Sequence, residues 1–187
     1  GYYKCVVTCG DVSSNNRKVT FVQYCSQTGS TVWGGINGFS FGTIDNTISN
    51  SHSSAYSDFY PDYEEQFLRN TAYDLNIWVN TEGPYTYYQT VWIDWDGSGT
   101  FDADEIYDLG TAYNGASVLS SNCPLSITVP SDAVEGNIRV RVLCDYYGTT
   151  AACSSTDDGE VEDYRLVIRF INEWAGSTNT DWHTTSN

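Results

Sequence analysis

Twelve residues from Asp94 to Glu105, reading Asp-Trp-Asp-Gly-Ser-Gly-Thr-Phe-Asp-Ala-Asp-Glu, constrain this chain more than any other segment. Counting Asp94 as position 1, oxygen-bearing residues fall at 1 (Asp94), 3 (Asp96), 5 (Ser98), 7 (Thr100, through its carbonyl), 9 (Asp102) and 12 (Glu105). Gly99 occupies position 6, where the chain must turn sharply. This is the ligand spacing of an EF-hand loop, in which alternate residues point inward and surround a hard cation with oxygens. The bland alternative is an Asp/Gly turn whose acids are simply solvated. It leaves the crowded carboxylates with nothing to offset their repulsion, so the spacing predicts a calcium site.

The flanks are not those of an EF-hand. Tyr87 to Ile93 is aromatic and β-branched and reads as a strand. Ile106 to Gly110 is too short and too β-like for an exiting helix. The loop therefore belongs to a β domain, where a cation stabilises structure rather than moving helices.

Elsewhere the hydrophobic pattern is also that of strands. Strands are expected at 19–25, at 31–48 with breaks at Gly34-Gly35 and Gly38, and at 72–80, 87–95, 124–129, 136–144 and 161–170. In 72–80, Tyr73, Leu75, Ile77 and Val79 alternate with a more polar set, the signature of a half-buried strand. Residues 49–60 read as loop. Residues 61–70 are the one plausible helical turn, with Pro61 near its start. The expected fold is all-β, an antiparallel β-sandwich of jelly-roll or Ig-like type with an EF-hand-like calcium loop in a β context.

From Gly159 the chain runs Glu-Val-Glu-Asp-Tyr-Arg-Leu-Val-Ile-Arg-Phe. Its even positions are Glu160, Glu162, Tyr164, Leu166, Ile168 and Phe170, so an inward-facing apolar set carries Glu160 and Glu162 with it. Acids directed into a sandwich are costly unless partnered. A second acidic cluster of Glu160, Glu162 and Asp163 is therefore expected to meet a metal, Arg139 or Arg141, or backbone amides. If the strand starts only at Tyr164, the acids are exposed.

The net charge is −16, which opposes binding to nucleic acid and suits an extracellular protein that takes divalent cations. Six cysteines, Cys5, Cys9, Cys25, Cys123, Cys144 and Cys153, fit an oxidising compartment with at least two disulfides, one of them through Cys153. Cys5 and Cys9 would lie too far apart to bond within one strand, while Cys144 and Cys153 bracket a turn they are placed to staple. There is no Cys-x-x-Cys and the two histidines are isolated, which speaks against zinc. No apolar run of transmembrane length occurs. A start at Gly1 without a signal sequence suggests a processed product.

Gly159-Glu160-Val161-Glu162-Asp163-Tyr164 follows Val91-Trp92-Ile93-Asp94-Trp95-Asp96-Gly97 with Phe101-Asp102, then Val129-Pro130-Ser131-Asp132-Ala133, then Arg139-Val140-Arg141-Val142. These four blocks resemble, in order, the GEVED-domain family. Tyr24-Cys25 and Tyr56-Ser57-Asp58-Phe59 are similar to its N-terminal half, so the resemblance covers about residues 24–170. It implies a non-catalytic β-sandwich module of secreted and surface proteins of bacteria, notably Bacteroidetes, accompanying proteases and adhesins. Residues 1–23 are then an N-terminal arm or strand, 24–170 the domain, and 171–187 a tail or the start of a following module.

An enzyme is not expected. A Ser-His-acid set would have to use His52 or His183, neither in a nucleophile-elbow context. No His-Glu-x-x-His is present and no Gly-rich phosphate loop follows a strand. The function expected is a calcium-stabilised extracellular structural or adhesive module that self-assembles through its β-prone termini, with copies of itself or neighbouring surface modules as partners. The alternative is a carbohydrate-binding accessory module with a glycan partner, for which Tyr85, Tyr87, Tyr88, Tyr146 and Tyr147 would have to form an exposed, coplanar platform.

Overall fold

The computed structural model describes residues 24–27, 33–47, 54–148 and 151–170. Eleven strands are found among them and no helix: β1 (Gly35–Phe41), β2 (Ile44–Asn46), β3 (Tyr56–Asp58), β4 (Glu65–Leu68), β5 (Ala72–Asn80), β6 (Thr86–Ile93), β7 (Ile106–Tyr113), β8 (Val118–Leu119), β9 (Leu125–Thr128), β10 (Gly136–Asp145) and β11 (Gly159–Arg169). They form two sheets. One has the order β2-β1-β5-β8, with β9 pairing the other half of the same edge of β5. The other has the order β3-β11-β10-β6-β7, with β4 continuing along the edge of β11.

The two sheets share one apolar interior. Phe39, Phe41, Leu75, Ile77 and Val79 from the first meet Val91, Ile93, Val140, Val142, Tyr164, Leu166 and Ile168 from the second. Phe39 stacks on Tyr164 across the gap, with ring centroids 4.4 Å apart. In β5 the alternation works as the sequence predicts: Leu75, Ile77 and Val79 are fully buried, while the intervening residues are half-buried or exposed.

Four expectations need correction. Residues 61–70 contain no helical turn; β4 runs through them. Pro61 and the acids after it are good helix-start signals, but the open edge of β11 offers a row of unpaired backbone groups, and Glu65 to Leu68 pair with Leu166 to Arg169. Phe67 then packs in the core against Phe41 and Tyr73, at 4.8 and 4.5 Å, a burial of about 1.5–3 kcal/mol that one isolated helical turn does not provide. Within the expected loop 49–60, Tyr56–Asp58 likewise adds to β11. Since β3 and β4 both lie parallel to β11, this sheet is mixed rather than purely antiparallel. Of the strand expected at 19–25, only residues 24 and 25 are described, and they are not in a strand.

The cysteine pairing also differs. Cys25 bonds Cys153, and Cys144 does not staple the turn. The pleat of β10 explains this. Cys144 sits with Val142 and Val140 on the core face, whereas Leu143 and Arg141 point to the opposite face, where Ala152 packs. Cys123 and Cys144 are free thiols, Cys144 wholly buried; Cys5 and Cys9 lie outside the described residues.

The second sheet is covered on its outer face as well. Trp92, Leu143, Val161 and Ala152 form a small cluster there, with Tyr56 and Phe101 against it. The Cys25–Cys153 bond ties residues 24–27 onto this face. Strand β11 is consequently buried on both sides, and Gly159 to Tyr164 all lie out of solvent.

Candidate metal centre and the acidic strand

The loop from Asp94 to Glu105 is the connection of the β6–β7 hairpin. The register Trp92↔Ile106 places the two ends of the loop side by side, and the Ile93 N–H donates to the Glu105 carbonyl at 3.1 Å. A hairpin thus does here what two helices do in an EF-hand: it brings positions 1 and 12 together. Further backbone bonds anchor the base, from Asp94 N–H to the Arg139 carbonyl at 3.0 Å and from Val134 N–H to the Trp95 carbonyl at 2.7 Å. Gly97 and Gly99 take φ of +64° and +86°, which side chains resist, so the curl of the loop depends on them.

Asp94, Asp96 and Glu105 each direct a carboxylate oxygen into one group whose members lie within 4.8 Å of one another. Asp94 and Glu105 are buried and Asp96 is exposed. Backbone donors orient all three. Asp94 accepts from Ser98 N–H at 3.0 Å and Gly99 N–H at 3.1 Å, and also from the Tyr24 hydroxyl. Asp96 accepts from Ser98 N–H at 2.9 Å. Glu105 accepts from Trp95 N–H at 2.6 Å and Asp102 N–H at 3.0 Å. Burial pushes the Asp94 and Glu105 carboxyls above their ordinary range, whereas the Ser98 N–H holds Asp96 below it. Three anionic oxygens at one point form a donor set suited to a hard cation, which would relieve both the burial of charge and the mutual repulsion. This acidic triad could hold a metal ion.

The other three residues of the spacing are less committed. The Ser98 and Thr100 hydroxyls bond each other at 2.9 Å, both side chains being exposed. Asp102 is exposed and outside the triad. It lines a neighbouring cleft of about 270 Å³ together with Asp96, Asp104, Glu105 and Asp132, so further acids rim the site.

The second acidic cluster separates onto two faces of β11. Glu160 and Glu162 enter the core beside Tyr164, as the even-position pattern predicts, and are wholly buried. The Ile36 N–H donates to Glu160 Oε2 at 3.0 Å, and the Tyr164 hydroxyl to Glu162 Oε2 at 2.7 Å. Burial, reinforced for Glu160 by the neighbouring Glu162, pushes the carboxyls up to about 9 and about 8. Both are neutral acids at pH 7. Asp163 faces the other way and is the anchor of a buried ion cluster. It accepts from Arg141 Nε and Nη2, each at 2.7 Å, from Arg139 Nη1 at 2.6 Å and from the Tyr56 hydroxyl at 2.8 Å. The expected arginine partners are thus those of Asp163, while the two glutamates find a backbone amide and a phenol.

Tyr24 is the residue beside the acidic triad that sequence reasoning missed. It lies seventy positions from Asp94 and reaches it because the disulfide segment folds over Arg139, whose guanidinium sits 4.9 Å from the Tyr24 ring. The five tyrosines offered as a sugar platform are not coplanar: Tyr146 meets Tyr85 at 79°, Tyr87 at 60° and Tyr147 at 81°. No helix among the described residues is long and apolar enough to cross a membrane.

Comparison with curated proteins finds no match. Among solved structures, the chain is similar to a CARDB domain from Pyrococcus furiosus in complex with di-metal ions, at 12% identity, covering 73% of this chain and 85% of that one, with a TM-score of 0.34. It is also similar to a CBM33 protein from Bacillus amyloliquefaciens in complex with Cu(I), at 11% identity over 57% and 56% of the two chains, with a TM-score of 0.26. Both likenesses are too distant to bear on the site. The four sequence blocks have a firmer counterpart, since residues 88–167 match the family model of the GEVED domain.

Proposed function

We propose that this is a non-catalytic extracellular module whose β6–β7 hairpin is closed by calcium, and that it serves a structural or adhesive role. The convergence of Asp94, Asp96 and Glu105 at the base of the hairpin carries this reading. An all-oxygen, anionic set with water free to fill the remaining positions favours calcium over softer metals. Ser98, Thr100 and Asp102 stand on the same loop and would complete the shell by small rotations or through water. The Cys25–Cys153 bond and a net charge of −16 support an oxidising, calcium-rich location. Catalysis through a Ser-His-acid set would have to recruit His52 or His183, the only histidines in the sequence.

Assembly through the termini rests on the β-prone arm 1–23 and on 171–187, both outside the described residues. The arm would add a strand to an open sheet edge of a neighbouring copy. Size measurement of the full chain and of an arm-deleted chain, with calcium present, tests this; a strictly monomeric full chain at high concentration ends the assembly reading.

The calcium reading is tested by thermal unfolding and titration calorimetry in millimolar calcium and in chelator. A raised melting temperature with saturable heat is expected. An unchanged melting temperature without binding heat overturns it.

A further inference from the structure

At the end of the sandwich away from the metal loop, Trp33, Tyr85, Tyr87 and Tyr146 line a cleft of about 490 Å³ together with Glu82 and Asp158. We propose that this cleft binds a small organic cation of the alkylated-ammonium class.

The rings are arranged for it. Tyr85 stands at 79° to Tyr146 with centroids 6.0 Å apart, so two steeply inclined rings meet at the cleft beside the exposed Trp33, while Tyr87 is buried and contributes its hydroxyl to Asp158. A sugar ring stacks on a flat platform. A rounded cation is instead held by several inclined π-faces that contribute attraction from different sides. The two carboxylates of the lining supply the complementary charge, and among the described residues no Lys or Arg shares the cleft.

The site is built rather than incidental. Asp158 is fixed by the Tyr87 hydroxyl, 3.2 Å from each of its oxygens, and by the Trp33 N–H at 3.2 Å. Glu82 sits at φ +51°, a conformation unfavourable for a side-chain-bearing residue, and its Oε1 accepts from Asn80 Nδ2 at 2.6 Å. Gly34 passes so close to Tyr87 that a Cβ there would meet the ring at 2.4 Å, and this close passage brings Trp33 beside the ring. Trp33 and Tyr85 are 68% and 50% exposed, a large aromatic surface among the described residues.

The test compares choline with its uncharged isostere 3,3-dimethylbutanol by NMR titration of the full chain with calcium present. Choline is expected to saturate at millimolar concentrations and to bind about three- to thirtyfold tighter than the isostere. Trp33→Ala, Tyr85→Ala and Glu82→Gln should each weaken choline by several-fold while leaving the melting temperature within about two degrees, as for exposed positions. Equal binding of the two probes, no saturation, or indifference to all three substitutions overturns the proposal. So does displacement of choline by a neutral cello-oligosaccharide at equal concentration, which would assign the cleft to sugars.

Discussion

Arg141 and Asp163 face each other on β10 and β11 and pair through two hydrogen bonds, Nε to Oδ1 and Nη2 to Oδ2, both 2.7 Å long. Both side chains are shut away from solvent, and the remaining guanidinium nitrogen donates to the carbonyls of Ala152 and Cys25 at 3.0 and 3.1 Å. One ion pair thereby fastens the central strands to the covering segment. Asp163→Ala would leave a buried cation without its counter-charge and is expected to cost about 3–5 kcal/mol. Equilibrium denaturant titration measures it, and a double-mutant cycle with Arg141→Met separates the pair from the stranded charge. A loss below about 1 kcal/mol would mean that water reaches the pair.

Glu160 and Glu162 set the pH response. Their carboxyls titrate near 9 and 8 in the folded chain and near 4.3 when unfolded. Between these values the folded state binds more protons than the unfolded state, so stability is fullest below about pH 4.3 and falls as pH rises towards 8 and 9. Each carboxyl contributes a slope of up to about 1.4 kcal/mol per pH unit. Denaturant midpoints measured in chelator from pH 5 to 8 should fall steadily, and Glu162→Gln should flatten the fall. A flat profile for the unmodified chain would show both acids charged.

Some of this was legible in sequence because it is periodic or evenly spaced. The alternation Leu75, Ile77, Val79 predicts β5, the even set from Glu160 predicts inward acids, and the spacing from Asp94 names six ligand positions, of which Asp94, Asp96 and Glu105 converge. The rest depends on distant partners. Pro61 and its acids signal a helix start, yet the edge of β11, about a hundred residues later, makes the segment a strand. Cys153 has a plausible partner nearby in Cys144, but the pleat turns that thiol inward and Cys25 is used instead, 128 positions away. Nothing local in Tyr24 points to Asp94, and no pattern in β11 shows that a covering segment buries its second face.

The Cys25–Cys153 bond closes a loop of 128 positions, and its removal should destabilise the chain by about 2–5 kcal/mol. Cys25→Ser with Cys153→Ser tests this by melting temperature. Alkylation of the native chain without reductant, read by mass spectrometry, should modify Cys123, which is partly exposed, and spare Cys144, whose thiol burial pushes strongly up. Modification of Cys144 in the folded state would place it on the surface and contradict the pleat of β10.

The calcium response should be localised to one carboxylate. Asp94→Asn preserves shape and most backbone acceptors but removes the buried charge at the centre of the triad. A site filled to about a hundred times its dissociation constant adds about 2.7 kcal/mol to the unmodified chain, and Asp94→Asn should lose that increment while keeping its stability in chelator. An increment that survives the substitution would move the cation elsewhere.

Gly159 opens the acidic strand, and its register partner Asp145 explains why a glycine stands there. A Cβ at this position would lie 2.1 Å from the Cys144 carbonyl oxygen and 3.0 Å from the Asp145 Cα, both backbone atoms that no rotamer change can move. Gly159→Ala must therefore push β10 and β11 apart at the end that carries Glu160 and Cys144. The expected cost is about 1–3 kcal/mol or more, in the range of overpacked cores. Gly136, at the opposite end of the same strand pair, has open space around the corresponding direction and serves as the control: its cost comes from its φ of +115° alone. Hydrogen exchange should show Gly159→Ala loosening amides near Glu160 and Cys144, and unchanged protection there would mean that the strands already have room for the methyl group.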